Sequence, residues 1–303
     1  MNVRTIPNTE FSVSTVCLGT MTFGNPVLRN DAIRIVHRAL DLGINFVDTA
    51  DMYEGYDRHI GSPGGVGETI LGEAIRDRRD RVIITTKVGN AVGSGEYQGR
   101  GLSQDHIRNQ IDASLSRLQT DHVDLYELHR PDTGAPLEES IATMDGLIES
   151  GKVRHWGVSN FSGQQIAAIV QVCDTHSWPR PVISQPSLSW LKRDELADSV
   201  PTCREFSLAV TPYQPLQGGL LTGKYRRGQP LPNASRAAES EWLDQPDDAL
   251  FDRLEQFELE ARRTGLPPAQ YALRWLMDQP GITSVVVGVS RIEQLQAIVE
   301  AAS

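Results

Sequence analysis

Lysine is nearly missing from this sequence. Four residues, Lys87, Lys152, Lys192 and Lys224, stand against twenty-five arginines, so the position of each lysine carries information. Cysteine is as sparse: Cys17, Cys173 and Cys203 are odd in number, far apart and never in a CxxC pair. That argues against a disulfide framework or a zinc site and points to reduced thiols in a cytoplasmic protein. No run reaches about 18 apolar residues, so no transmembrane helix is expected. The opening Met1-Asn-Val-Arg-Thr-Ile-Pro7 has no apolar core of a signal peptide. Positive charge is outweighed, with a formal net charge of -10. Such a balance speaks against a nucleic-acid or anionic-membrane surface, but not against one phosphate-bearing cofactor in a local cationic pocket. Neither an HxH nor a carboxylate cluster with ligand spacing occurs, so no metal is expected.

What is present is an alternation. Short β-branched runs fall at 16–18, 45–48, 82–87, 123–128, 153–158, 182–185, 208–212 and 284–288. Between them lie segments of helical period, such as 31–42, 103–118, 137–150, 162–174 and 267–278. Ser103 followed by Ile107, Ile111, Leu115 and Leu118 has the cap and spacing of an amphipathic helix. Residues 2–13 read as a small hairpin turning at Pro7-Asn8-Thr9. Eight strands alternating with helices, with no repeat or linker between, predict an α/β fold. It is a (β/α)8 TIM barrel forming one domain over 1–303. Two stretches break the rhythm. A long insert after strand seven, 217–248, is rich in Gly, Pro, Arg and Asp, and the loop 54–67 carries five glycines and is expected to be mobile.

In such barrels chemistry sits at the carboxyl ends of the strands. Asp48 ends strand two and Tyr53 follows it; Lys87 ends strand three and His129 strand four. Gly157-Val158-Ser159-Asn160 end strand five, Gln185 strand six, Tyr213 strand seven and Gly288-Val289-Ser290 strand eight. A phenol has a pKa of about 10 in water, and a neighbouring ammonium lowers it. Asp48 can hold Lys87 in place and charged, and His129 can donate to an oxygen between itself and Tyr53. Such a group protonates a carbonyl oxygen as charge develops there. It has no reducing power of its own, so a hydride must come from a cofactor. Two other readings stay open on these residues: Lys87 as a Schiff-base lysine, and His129 as a strand-end histidine paired with a carbonyl. No GxGxxG opens a helix. Residues Gly218 to Lys224 match seven positions of a P-loop, but Tyr225 stands where Ser or Thr must hold magnesium, leaving only a Gly-rich cradle with a lysine.

Motifs in this order resemble the aldo-keto reductases, especially the group related to potassium-channel β subunits and bacterial aldo/keto reductases. The matching segments are Leu18-Gly-Thr-Met21, Asp48-Thr-Ala-Asp-Met-Tyr53, Gly67-Glu-Thr-Ile-Leu-Gly72, Thr85-Thr-Lys87, Asp124-Leu-Tyr-Glu-Leu-His129, Gly151 to Asn160, Tyr213-Gln-Pro-Leu216 and Gly218 to Tyr225. The resemblance implies a barrel whose base is plugged by the N-terminal hairpin, and NADPH-dependent reduction of an aldehyde or ketone to the alcohol. It maps the catalytic tetrad onto Asp48, Tyr53, Lys87 and His129, with Tyr53 as general acid. Ser159, Asn160 and Gln185 match the residues that hold the carboxamide, and Tyr213 the ring stacked on the nicotinamide. Leu216, Gly218, Lys224 and Arg236 match the pyrophosphate side; Gly288, Ser290 and Gln294 match the adenosine-phosphate side. Thr20, Met21, Gln214, Pro215 and Gln217 complete the expected cofactor set.

The departures lie at Gln214, where the group usually has Ser, and at Ala297 and Ile298, where it often has Glu and Asn. They leave NADH open beside NADPH. For the substrate, a small-molecule carbonyl compound, the candidate walls are Phe23, Met52, Arg130 and Trp190, with Met21 beside them. Trp156 reads as core. Arg130 suits an anionic or hydroxylated end. The rival functions are a cofactor-binding regulatory subunit with weak turnover, and a lyase using Lys87 as a Schiff base.

Overall fold

The computed structural model describes residues 1–93, 99–233 and 247–302. Strands β1 (Val3–Thr5) and β2 (Ser12–Ser14) pair antiparallel, Val3 opposite Ser14 and Thr5 opposite Ser12. Their turn uses Asn8 at φ 61°, a left-handed conformation asparagine tolerates, and the Thr9 hydroxyl donates to the Ile6 carbonyl at 2.8 Å.

Eight parallel strands follow: β3 (Val16–Gly19), β4 (Phe46–Asp48), β5 (Ile83–Val88), β6 (Val123–Leu128), β7 (Val153–Ser159), β8 (Ile183–Gln185), β9 (Ala209–Val210) and β10 (Val285–Gly288). Each neighbours the next in sequence, and β10 lies beside β3. The ring closes where the Thr283 N–H donates to the Val210 carbonyl at 2.8 Å and the Val286 N–H to the Pro212 carbonyl at 2.9 Å. This is the predicted barrel with its N-terminal hairpin.

Period-two alternation divides each strand between two cores. Val47, Tyr126 and Leu128 face out and join the layer packed by the helices. Phe46, Leu125, Ile183 and Val286 face in and meet Ile6, Phe11 and Val13 of the hairpin, which plugs the barrel floor. Each such side chain, removed from water, contributes about 2 kcal/mol. With its floor sealed by hydrocarbon, the barrel offers inward polar residues room only in the upper layers.

The outer ring comprises α1 (Arg29–Asp41), α2 (Val66–Ile75), α3 (Gln104–Leu118), α4 (Leu137–Glu149), α5 (Gly163–His176), α6 (Ser199–Glu205), α7 (Asp248–Thr264), α8 (Pro268–Met277) and α9 (Ile292–Ala302). The Ser103 side chain caps α3, and Ser162 with Gln165 forms a capping box on α5, satisfying otherwise orphaned N–H groups. Among the described residues no helix is long and apolar enough to cross a membrane.

The glycine-rich loop 54–67 carries a set of internal hydrogen bonds. The Glu54 carboxylate accepts from the Ser62 hydroxyl and from the Gly64 N–H at 3.1 Å. Arg58 lies 3.5 Å from that carboxylate and also donates to the Ser62 carbonyl at 3.1 Å and to the Ala91 carbonyl. The Gly93 N–H adds a bond to the Ser62 carbonyl at 2.7 Å. These bonds tie the loop to itself and to residues 91–93. Of the insert, Gln217–Thr222 forms a short 3-10 turn and Asp248 opens α7.

Candidate active site

Because Phe46 points to the floor, Asp48 two residues later points into the upper barrel; Thr85 and Lys87, and Leu125, Glu127 and His129, repeat the pattern on the next two strands. Lys87 is 0% exposed. Its ammonium donates to Asp48 Oδ1, to the Thr49 carbonyl at 2.8 Å and to the Tyr53 hydroxyl oxygen at 3.4 Å. All three of its protons are thereby directed. Asp48 is 2% exposed and accepts a second bond from Gln185 Nε2 at 2.8 Å. Tyr53 is half-buried on the loop after β4, with Lys87 Nζ 5.1 Å from its ring centroid. Since the Tyr53 oxygen accepts from Lys87, its own proton is left to be donated elsewhere. The His129 ring stands edge-on to Tyr53, centroids 6.0 Å apart at 80°.

Burial dominates the electrostatics. It raises the Tyr53 phenol above its ordinary value; Lys87 pulls the other way, as an ammonium should, but does not prevail over burial aided by Asp48 and Glu127. Burial works against the Lys87 ammonium too, yet Asp48, Tyr53 and Glu127 together hold it above the usual lysine range. His129 is pushed well below its ordinary value by burial first, then by Lys87 and Arg130. At neutral pH the group therefore consists of a protonated phenol, an ammonium and a neutral imidazole.

A second set of side chains continues from this group. Gln185, bonded to Asp48, has its carbonyl against Ser159, whose hydroxyl donates there at 2.8 Å. Asn160, at φ 63°, donates from Nδ2 to the Ser159 hydroxyl at 3.0 Å and to the His129 carbonyl at 2.9 Å. Its Oδ1 accepts from the Tyr213 hydroxyl at 2.8 Å. Beyond Tyr213, Gln214 and Gln217 take left-handed conformations unusual outside glycine, at φ 60° and φ 46°, flanking the buried Pro215 and half-buried Leu216. Gly218 and Gly219 follow at φ 63° and φ 95°, and a Cβ on Gly219 would meet Lys224 Nζ at 3.2 Å. Left-handed backbone beside an exposed ammonium is a nest for a phosphate group. At the end of β10, Gln294 Oε1 accepts from the Ser290 N–H at 2.8 Å and the Arg291 N–H at 3.1 Å, with Gly288 and Ser290 exposed ahead of α9. Thr20 is fully buried beside Asp48, its hydroxyl without a partner among the described residues, and Met21 is exposed. Arg236 lies outside the described residues. The left-handed backbone at Gly218 and Gly219 beside Lys224 fits the phosphates of a dinucleotide.

Of the candidate substrate walls, Met52 is half-buried and Arg130 exposed at the rim. Phe23 instead sits fully buried in the main core. Trp190 is enclosed in a satellite cluster, with its indole N–H on Glu260 at 2.9 Å and its ring 5.3 Å from Phe257. Neither is placed to line an open mouth. Trp156 is core, with its N–H on the Pro179 carbonyl at 2.8 Å. One residue of the upper barrel lacks any role from the sequence alone: Glu127, fully buried two positions before His129. Its place in an inward register with Leu125 and His129 is the signal that finds it.

A closed parallel barrel with an acid, a phenol, an ammonium and an imidazole gathered at its carboxyl end, next to a phosphate nest, is an arrangement suited to a barrel oxidoreductase. Comparison with known proteins narrows it. The profile of the Aldo/keto reductase family matches residues 15–303. The chain is 33% identical to "Uncharacterized oxidoreductase YrpG" of Bacillus subtilis, over 99% of this chain and 91% of that protein. It is 32% identical to "Probable voltage-gated potassium channel subunit beta" of Arabidopsis thaliana, over 98% and 89% of the two chains. It is also 32% identical to "Putative voltage-gated potassium channel subunit beta" of Schizosaccharomyces pombe, over 93% and 82%. The chain belongs to the aldo/keto reductase family and is an NAD(P)H-dependent oxidoreductase acting on carbonyl or CH–OH groups.

Proposed function

We propose that the protein reduces an aldehyde or ketone to the alcohol with NADPH, and that Tyr53 is the general acid. The observation that carries this reading is the single ammonium of Lys87 bonded at once to Asp48, the Thr49 carbonyl and the Tyr53 oxygen. When bound, the cofactor supplies a hydride. The chain's own residues do the rest. His129, neutral, donates one ring N–H to the substrate oxygen and fixes it beside Tyr53. Tyr53 delivers its proton to that oxygen. Lys87 stabilises the phenolate left behind, and Asp48 and the Thr49 carbonyl keep Lys87 from turning away. Burial keeps Tyr53 protonated until that moment, so the acid is loaded across the physiological pH range.

For the cofactor, Ser159, Asn160 and Gln185 would hold the carboxamide, Tyr213 the ring, and Leu216, Gly218 and Lys224 the pyrophosphate. The exposed Ser290 hydroxyl and Arg291 guanidinium ahead of α9 would take the 2′-phosphate, which favours NADPH over NADH. For the substrate, exposed Arg130 and half-buried Met52 would form the wall, and Arg130 would suit a carbonyl compound with an anionic end. Three buried, unpaired cysteines support a reducing compartment such as the cytoplasm.

The names of the Arabidopsis and S. pombe relatives favour a second reading, a cofactor-bound regulatory subunit with weak turnover. NADPH oxidation over a panel of aldehydes and ketones, with Tyr53→Phe as control, separates the two. Sustained turnover lost in Tyr53→Phe, with NADPH binding retained, supports the reductase. Reduction surviving in Tyr53→Phe refutes the proton-donor role, and cofactor binding without turnover supports the regulatory reading.

A further inference from the structure

Lys87 and Glu127 are direct partners in the register of β5 and β6, and both side chains point into the barrel. Their hydrogen bonds run in opposite directions. Lys87 commits its protons upward and sideways, to Asp48, Thr49 and Tyr53. Glu127 reaches down to Thr85, whose hydroxyl donates to Oε1 at 2.7 Å. The other oxygen, Oε2, is buried with no hydrogen-bond partner among the described residues. On its far side the register partner is Gly157, where even a Cβ would lie 2.2 Å from Ile183 Cγ2, so β7 brings no countercharge.

The titratable groups facing Glu127 are Lys87 on β5, Asp48 on β4, Tyr53 on the loop after β4 and Cys17 on β3. His129 stands two residues on along β6, while β8 offers only the uncharged Gln185. Among the described residues, the barrel interior around Glu127 therefore holds one cation and two carboxyl groups. Asp48 already matches Lys87, and Glu127 is the odd group.

We propose that Glu127 is a positioning residue that sets the acid strength of Tyr53 through Lys87. With the Glu127 carboxyl neutral, the ammonium serves Asp48 and Tyr53 alone. Once ionised, Glu127 claims part of that charge and holds the proton on Tyr53. The inference rests on the reductase reading and deepens it. Burial carries Glu127 up to about 7, with Asp48 pushing the same way against Lys87 and Thr85. Its negative charge in turn raises both Tyr53 and Lys87. Carbonyl reduction should accordingly slow as pH rises through the Glu127 titration, well before the phenol or ammonium itself ionises.

The test pairs two readouts on the full-length protein. Infrared difference spectra follow the protonated carboxyl band from about pH 5 to about pH 9. Over the same range, kcat is measured at saturating NADPH and aldehyde. In the wild type a carboxyl band should vanish with a midpoint of about 7 and be missing in Glu127→Gln. Wild-type kcat should fall on the order of tenfold with the same midpoint, and that limb should be missing in Glu127→Gln. Thr85→Val, which removes the hydroxyl that favours the anion, should move both midpoints to higher pH, and it carries the test alone should Glu127→Gln not fold. A band that does not titrate, or a kcat limb that persists in Glu127→Gln, overturns the proposal. A wild type that shows the infrared titration yet reduces no carbonyl compound overturns the reductase reading and the proposal with it, a failure distinct from a flat titration.

Discussion

Lys87→Met keeps the length and the apolar stem of the side chain and removes only the ammonium. Two effects follow, and they separate experimentally. The first is on stability. Asp48, 2% exposed, is left with Gln185 Nε2 at 2.8 Å as its side-chain donor. Breaking a buried ion pair on one side costs about 3–5 kcal/mol. The second is on rate. Lys87 Nζ lies 3.4 Å from the Tyr53 oxygen. At that separation a full phenolate charge is worth roughly 5 kcal/mol in an effective dielectric of about 20. With the proton about half transferred, roughly half of this is at stake, which corresponds to about a 50-fold slower step. The assay is single-turnover oxidation of enzyme-bound NADPH by excess aldehyde, which isolates chemistry from product release. Lys87→Met with Asp48→Asn removes both charges, and should recover most of the lost stability while leaving the rate low. Should Lys87→Met react within about threefold of wild type, or the double variant regain its rate, Lys87 would be only a counter-ion for Asp48 and the proton-delivery reasoning would fail.

The barrel is legible in the sequence because short runs rich in apolar and β-branched residues alternate regularly with segments of helical period. The run at 123–128 is β6 residue for residue. Where expectation and structure part, single residues explain it. Strand seven, expected over 208–212, is only Ala209–Val210 as regular strand, although single N–H bonds from Thr211 and Tyr213 to the Ser184 and Pro186 carbonyls carry the chain on beside β8. Helix α6 carries Pro201 in its first turn, where the missing donor costs nothing, so the proline conceals a helix it does not break. Helix α2 starts directly after Gly65 at φ 77°, and the glycines ahead of it mask the apolar set Ile70, Leu71, Ala74 and Ile75. The bond from Arg58 in the loop 54–67 to the Ala91 carbonyl joins residues 33 apart, which no local pattern announces.

At the site, Asp48, Lys87 and His129 stand out in the sequence as polar residues ending apolar strands, and strand alternation suffices to aim them at one another. The sign of the Tyr53 perturbation is another matter. From the sequence only the pull of Lys87 is visible, which lowers the phenol; enclosure at the barrel mouth, which raises it, depends on residues far apart in the chain. The same holds for Phe23 and Trp190. As aromatic residues near strand ends they suit a pocket wall, but the core at one and the Phe257 cluster at the other absorb them.

Three further outcomes are expected. Arg291→Ala should raise KM for NADPH about tenfold and leave KM for NADH little changed, since an exposed guanidinium paired with a phosphate contributes about 1–2 kcal/mol; equal losses for both cofactors would place Arg291 away from the 2′-phosphate. Arg130→Ala should lower kcat/KM for aldehydes with an anionic end by about tenfold relative to neutral ones; an untouched ranking would remove Arg130 from the pocket. Glu127 links the site to stability. Its carboxyl moves from an ordinary value of 4.5 to about 7 in the barrel, so the folded chain holds this proton more tightly than the unfolded one. Stability therefore falls as pH rises from the first value towards the second, by about 3 kcal/mol, or several degrees in Tm. Glutamine at 127 has no proton to lose, so the Tm of Glu127→Gln should gain on wild type between about pH 5 and about pH 8. A constant offset between the two proteins across that range would mean that Glu127 is already ionised in the folded barrel, and the odd charge of the interior would have to be balanced by a group other than its own proton.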